Sequence, residues 1–275
     1  QALAYIDNRF NWQDFTSNSI RVHWIEGDSG FAASAASIAN EALPKIQQQL
    51  GARPPSPIDI YIYATTQQLR STVELAGRPW LGGLARPEFG VVLVAIANDE
   101  SALVNMRRDI PHELTHLLVF VSATPNYNKV PHWLDEGLAS LYEQEPNPTQ
   151  AVALQNAFNT NQLIPIVTLC DAFPADASAA MIAYAESRGM VQQIVNEYGS
   201  AGLQALLAAY RDGATCEAGV ERGLKDSLAS LELKWKSTLA PGSGASSVMV
   251  GVAPWLLLIA LIALPLLGLL PKHKS

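Results

Sequence analysis

Runs of positive charge are missing from this sequence. Through residue 240 the basic residues cluster only at Arg107-Arg108, and 18 basic against 25 acidic residues leave a net charge of −7. A nucleic-acid partner would need a basic patch or stripe, so that class is excluded. Cysteine is nearly absent as well. Cys170 and Cys216 stand alone, too far apart for a cysteine-based zinc motif. An even pair permits one disulfide in an exported domain, and a bridge or two thiols both stay open. No segment repeats. The chain opens on Gln1, not methionine, and carries no export signal, so a processed or trimmed chain with sequence missing upstream is expected. What it has in quantity is apolar residues, 49% of 275, enough for one sizeable core or one domain of two lobes.

Against that background His112-Glu113-Leu114-Thr115-His116 stands out. Residues four apart on a helix share a face, so two imidazoles can converge on one metal ion. Glu113 then projects beside the ion, where a carboxylate can take a proton from an activated water. A third ligand is needed, and Glu136 follows 20 residues after His116, inside Trp133-Leu134-Asp135-Glu136-Gly137-Leu138-Ala139-Ser140. Trp133, Leu134, Leu138 and Leu141 make an apolar stripe that Asp135 and Glu136 interrupt. A carboxylate facing a buried site is costly unless it is paired or binds a cation. Two histidines and one carboxylate leave the fourth zinc position open, the arrangement of a catalytic rather than a structural site. Leu117-Leu118-Val119-Phe120-Val121 buries the metal helix but is far too short to cross a bilayer, which argues against an intramembrane protease.

These motifs resemble those of the gluzincin metallopeptidases. The step to Glu136 is similar to the thermolysin arrangement, and the wording of the second motif is closer to the aminopeptidase-N-like branch. Residues 1–240 resemble the peptidase MA-like membrane-associated bacterial metallohydrolases, including Tyr5-Ile6-Asp7-Asn8-Arg9-Phe10 and residues 79–94. The resemblance implies a zincin-like α+β fold, a Zn2+ cofactor and a peptide or protein substrate. It also implies that Tyr184, in Tyr184-Ala185-Glu186-Ser187, hydrogen-bonds the oxyanion of the tetrahedral intermediate. Tyr142 and Tyr198 read as packing residues with a wet hydroxyl. Two departures matter. The Gly-x-Met-Glu-Asn segment that grips a free amine in aminopeptidases is replaced by residues 82–90, where Glu88 is the one candidate substitute, so endopeptidase cleavage is expected. The aspartate that orients a histidine in thermolysin is replaced by Ser140.

Residues 248–270 form an almost unbroken, uncharged apolar run. At ~1.5 Å per residue it would reach ~34 Å, enough to cross a bilayer. Lys272 and Lys274 follow, so a cytoplasmic tail at 271–275 is expected, with 241–247 a flexible tether and the domain at 1–240 extracytoplasmic. Within that domain, strands are expected at 20–25, 58–63 and 91–96, the last forming the cleft rim by the family resemblance. His23 on the first strand reads as a surface side chain. Helices are expected at 31–50, up to residue 75 from a cap at Thr65-Thr66, and at 133–143, 149–159, 177–198, 203–210 and 220–239. Pro111 belongs in the first turn of the metal helix or at a kink in a longer one. The expected architecture is an α+β lobe at about 1–125 and a helical lobe at about 126–240, with zinc between them. Two rivals stand beside the peptidase reading: a membrane-tethered binding or scaffold protein with a non-catalytic zinc site, and a zinc hydrolase of non-peptide substrates. Oligomeric state stays open.

Overall fold

Residues 7–72 and 83–240 are described by a computed structural model. The expected transmembrane helix at 248–270, the tether, the tail, Tyr5, Gly82 and the end of the helix running to residue 75 lie outside the described residues. Among the described residues no helix is long and apolar enough to cross a membrane.

Five strands form one mixed sheet: β1 (Gln13–Ser17), β2 (Ile20–Trp24), β3 (Ile58–Tyr63), β4 (Gly83–Arg86) and β5 (Val91–Ala95), in the order β1-β2-β3-β5-β4. The centre, β2-β3-β5, is parallel, and antiparallel β1 and β4 close its edges. β2 alternates buried Ile20, Val22 and Trp24 with Arg21 and His23, the period of two that puts one face on a core. β5 runs Val91, Val92, Leu93 and Val94 fully buried, as an interior strand must. This corrects the sequence expectation: β5 is interior, and among the described residues the free edge belongs to the short β4. His23 is corrected too. It is held between Asp14 and Asp59 and stacked on Tyr61, with a side chain only 16% exposed.

Helix α1 (Ser29–Leu50) starts where Asp28 accepts the Phe31 N–H at 3.0 Å, a side-chain cap on an otherwise unpaired donor. α2 (Thr66–Thr72) follows β3, with Thr65 Oγ1 accepting from Gln68 N. α3 (Ala102–Ala123) buries Met106, Ile110, Leu114, Leu117 and Leu118 along one face. It packs against α1, β4 and β5 and also against α4 (His132–Tyr142) and α6 (Ala177–Arg211). Pro111 lies well inside α3, since the helix begins nine residues earlier. Its missing N–H leaves the Arg107 carbonyl without a helical donor. The Gln144 N–H, just past α4, donates to that carbonyl at 2.9 Å and ties the two site helices together.

α5 (Pro148–Asn159) matches its sequence pattern. The two helices expected at 177–198 and 203–210 are both present; they meet at a kink at Gly199 (φ 62°, ψ −165°) and are labelled together as α6. The helix expected at 220–239 is instead α7 (Cys216–Leu224) and α8 (Leu228–Leu239), separated where Lys225 takes a left-handed φ of 58°. α4 lies so close to α6 that a side chain on Gly137 would meet the Ser187 carbonyl oxygen at 2.5 Å; only glycine fits there. Contacts divide the chain into units 1–232 and 233–275, and the second unit, in its described residues, is the end of α8.

Candidate metal centre

α3 and α4 bring the predicted ligands together. One donor atom each from His112, His116 and Glu136 lies within 4.8 Å of the others. Glu136 Oε2 sits 3.4 Å from His112 Nε2 and 3.7 Å from His116 Nε2. The imidazoles point inward because their far nitrogens are held. His112 Nδ1 is 2.9 Å from Glu143 Oε1, and His116 Nδ1 is 3.0 Å from Asp135 Oδ1. The Tyr127 hydroxyl donates to the other Asp135 oxygen at 2.6 Å. A carboxylate on Nδ1 fixes the tautomer that leaves Nε2 free to bind a metal, and it raises the ligand's basicity.

The electrostatics ask for a cation. Burial alone would raise the Glu136 carboxyl, but the imidazoles of His112, His116 and His132 hold it down to about 2. His116 is pushed up to about 9: burial opposes this, and Asp135 and Glu136 outweigh it. His112 is raised well above its ordinary value against the same burial, by Glu136 and Glu143. Glu113 is raised to about 7 by its burial, partly countered by the two histidines. Four carboxylates around two imidazoles thus hold extra protons, a role a dication fills better. Glu136 Oε2 is buried with no hydrogen-bond partner among the described residues, although it lies between two Nε2 atoms. An orphaned carboxylate oxygen, two oriented imidazoles and hard-to-intermediate donors suit zinc.

The cluster opens on a cavity of about 950 Å³. β4 forms one wall, and Gly83 approaches Glu113 so closely that a Cβ there would lie 2.3 Å from Glu113 Oε1. Tyr184, from α6, lines the same cavity with its ring centroid 6.5 Å from that of His112. Glu88 also lines it. Tyr198, by contrast, donates to Asp226.

Sequence reasoning missed Asp135, Glu143, Tyr127 and His132. Two of these carried a signal. Asp135 adjoins Glu136, and Glu143 lies seven residues on, two turns along the same face. Ser140, in the place of the thermolysin aspartate, is buried with its hydroxyl unpartnered among the described residues, and Glu143 and Asp135 take the histidine-orienting role instead. The cysteines are bridged, Cys170 to Cys216, with Cα atoms 6.0 Å apart.

Solved structures similar to this chain include two M1 zinc metallopeptidase mutants. One is a two-domain M1 zinc metallopeptidase mutant bound to L-arginine, at 15% identity and TM-score 0.43, covering 84% of this chain and 52% of that one. The other is an M1 zinc metallopeptidase mutant from Deinococcus radiodurans, at 15% identity and TM-score 0.41, covering 84% and 51%. The chain spans about half the length of either structure. No curated protein matches it in sequence. The family model of the Peptidase MA superfamily matches residues 38–241, which take in β3 to β5 and every residue of the metal cluster, and the chain belongs to that superfamily.

Proposed function

We propose that this protein is a zinc-dependent metallopeptidase that hydrolyses peptide bonds, with His112, His116 and Glu136 as ligands and Glu113 as general base. The carrying observation is the convergence of three donor atoms, from His112, His116 and Glu136, beside a second carboxylate, Glu113, that is buried yet not a member of the cluster. Zinc, once bound, supplies the Lewis acidity that activates a water and polarises the scissile carbonyl. Glu113 accepts the water's proton and returns it to the leaving amine; its burial lifts its basicity toward neutral pH. Asp135 and Glu143 hold the imidazoles in register. Tyr184 donates a hydrogen bond to the developing oxyanion, a role its place in the cavity wall supports.

Endopeptidase cleavage is favoured, because the free-amine-binding sequence of the aminopeptidases is absent from residues 82–90. Membrane attachment through 248–270, with the catalytic domain outside the cytoplasm, completes the proposal. The uncharged length of that segment supports it, as does a disulfide, a bond that persists in oxidising compartments.

The test is to measure bound metal in the purified protein and to screen a peptide library with and without a chelator. Stoichiometric zinc and chelator-sensitive cleavage are expected. Zinc without cleavage of any peptide would favour the binding-protein rival, and cleavage confined to non-peptide amides or esters would favour the other hydrolase.

A further inference from the structure

The two oxygens of Glu136 face different partners. Oε2 looks toward the Nε2 atoms of His112 and His116, at 3.4 and 3.7 Å. Oε1 looks toward His132 Nε2, at 3.7 Å. We propose that His132 is a positioning residue, which engages Oε1 and so presents Glu136 to the metal through one oxygen only.

The placement follows from the chain. His132 opens α4 one turn before Glu136, so the i, i+4 spacing stacks the two side chains on one helix face. The ring packs edge-on against Phe173, at 4.7 Å between centroids, and Phe173 in turn meets Tyr184 at 4.9 Å. The backbone is pinned too, since the His132 N–H donates to the Cys170 carbonyl at 2.8 Å. Pinned at its backbone and packed on one side, the imidazole is directed at Glu136. It lines the same cavity as the three ligands.

The consequence is chemical. A carboxylate that binds through both oxygens fills two positions around a cation, whereas one that binds through a single oxygen fills one. Two imidazoles and one carboxylate oxygen leave a corner open for water or substrate. His132 favours that second state by occupying Oε1. It faces Oε1, the atom turned away from the metal, across 3.7 Å, a longer approach than the 2.9 and 3.0 Å at which Glu143 and Asp135 hold His112 and His116.

This inference rests on the zinc reading above, and the experiment separates the two. His132→Phe keeps the ring against Phe173 and removes the nitrogens, while His132→Gln keeps an N–H donor of similar reach. Zinc affinity is read by competition with a chromophoric chelator, and coordination number by the visible spectrum of the cobalt-substituted protein. His132→Phe is expected to bind zinc about 10-fold or more weakly, the scale of a lost outer partner. Its cobalt bands should weaken as coordination number rises, and His132→Gln should restore both toward wild type. Equal affinity and equal spectra in all three proteins would overturn the proposal, as would a loss that Gln fails to restore, which would mark His132 as packing. A wild-type protein that takes up no zinc would instead overturn the metal reading itself.

Discussion

Gly83 and Glu113 touch so closely that no side chain fits between them: a Cβ on Gly83 would lie 2.3 Å from Glu113 Oε1. The edge strand therefore forms one wall of the slot that holds Glu113. Gly83→Ala is expected to displace Glu113 while leaving His112, His116 and Glu136 in place. Turnover should fall about 100-fold, the scale of a 1 Å misplacement of a reacting group, with zinc content unchanged. Wild-type turnover in this variant would show that the slot does not confine Glu113.

That relationship was invisible in the sequence, for a physical reason. The His112, His116 and Glu136 cluster is legible because helical spacing alone places His112 and His116 on one face, and because Glu136 breaks an apolar stripe. Gly83 meets the distant Glu113 only after β4 has folded back antiparallel outside β5, a placement that an apolar run such as Val91 to Val94 cannot announce. The break between α7 and α8 was hidden likewise. Lys225 adopts a left-handed backbone that a lysine gives no cause to expect. Gly199, within α6, at least carried the residue type that interrupts helices. The disulfide joins residues 46 apart in sequence, and only the fold of α4 to α7 shows that they meet.

Asp135 and Glu143 each hold one imidazole by its Nδ1. Asp135→Asn and Glu143→Gln keep the shape and remove the charge. Each is expected to weaken zinc binding about 10- to 100-fold, measured by competition with a chelator. Ser140→Ala serves as the contrast. Its hydroxyl bonds to neither histidine, so its zinc affinity should match wild type; a comparable loss there would mean that Ser140 has the orienting role after all.

His23 offers a pH test away from the metal. Burial opposes its charge, but Asp59 at 3.0 Å and Asp14 at 2.5 Å outweigh burial and raise its pKa above 6.5. A raised folded-state value means that the folded protein binds the proton more tightly than the unfolded chain. The resulting stability is fully present below pH 6.5 and is lost as pH rises through the folded value. His23→Gln should therefore melt below wild type at pH 5.5, with the gap narrowing as pH rises. A gap that widens with pH would show that the ring is held neutral.

The bridge between Cys170 and Cys216 closes a loop over a sequence separation of 46 residues. On the chain-entropy account such a loop stabilises the fold by about 4 kcal/mol, or about 8–16 °C in melting temperature for a domain of this size. The effect should reach the cavity, because Cys170 and Asp171 line it and Phe173, two residues on, packs on the lining residues His132 and Tyr184. The double variant Cys170→Ser, Cys216→Ser is expected to melt lower and to lower kcat, since Tyr184 lies within that loop and packs on Phe173, whereas none of the three ligands sits on it. Zinc content should hold. Reductant-treated wild type should shift to the same melting temperature, which separates the loss of the bond from the loss of the two side chains. If the reductant leaves wild type where it was while the variant falls, the sulfurs matter for packing and not for the cross-link.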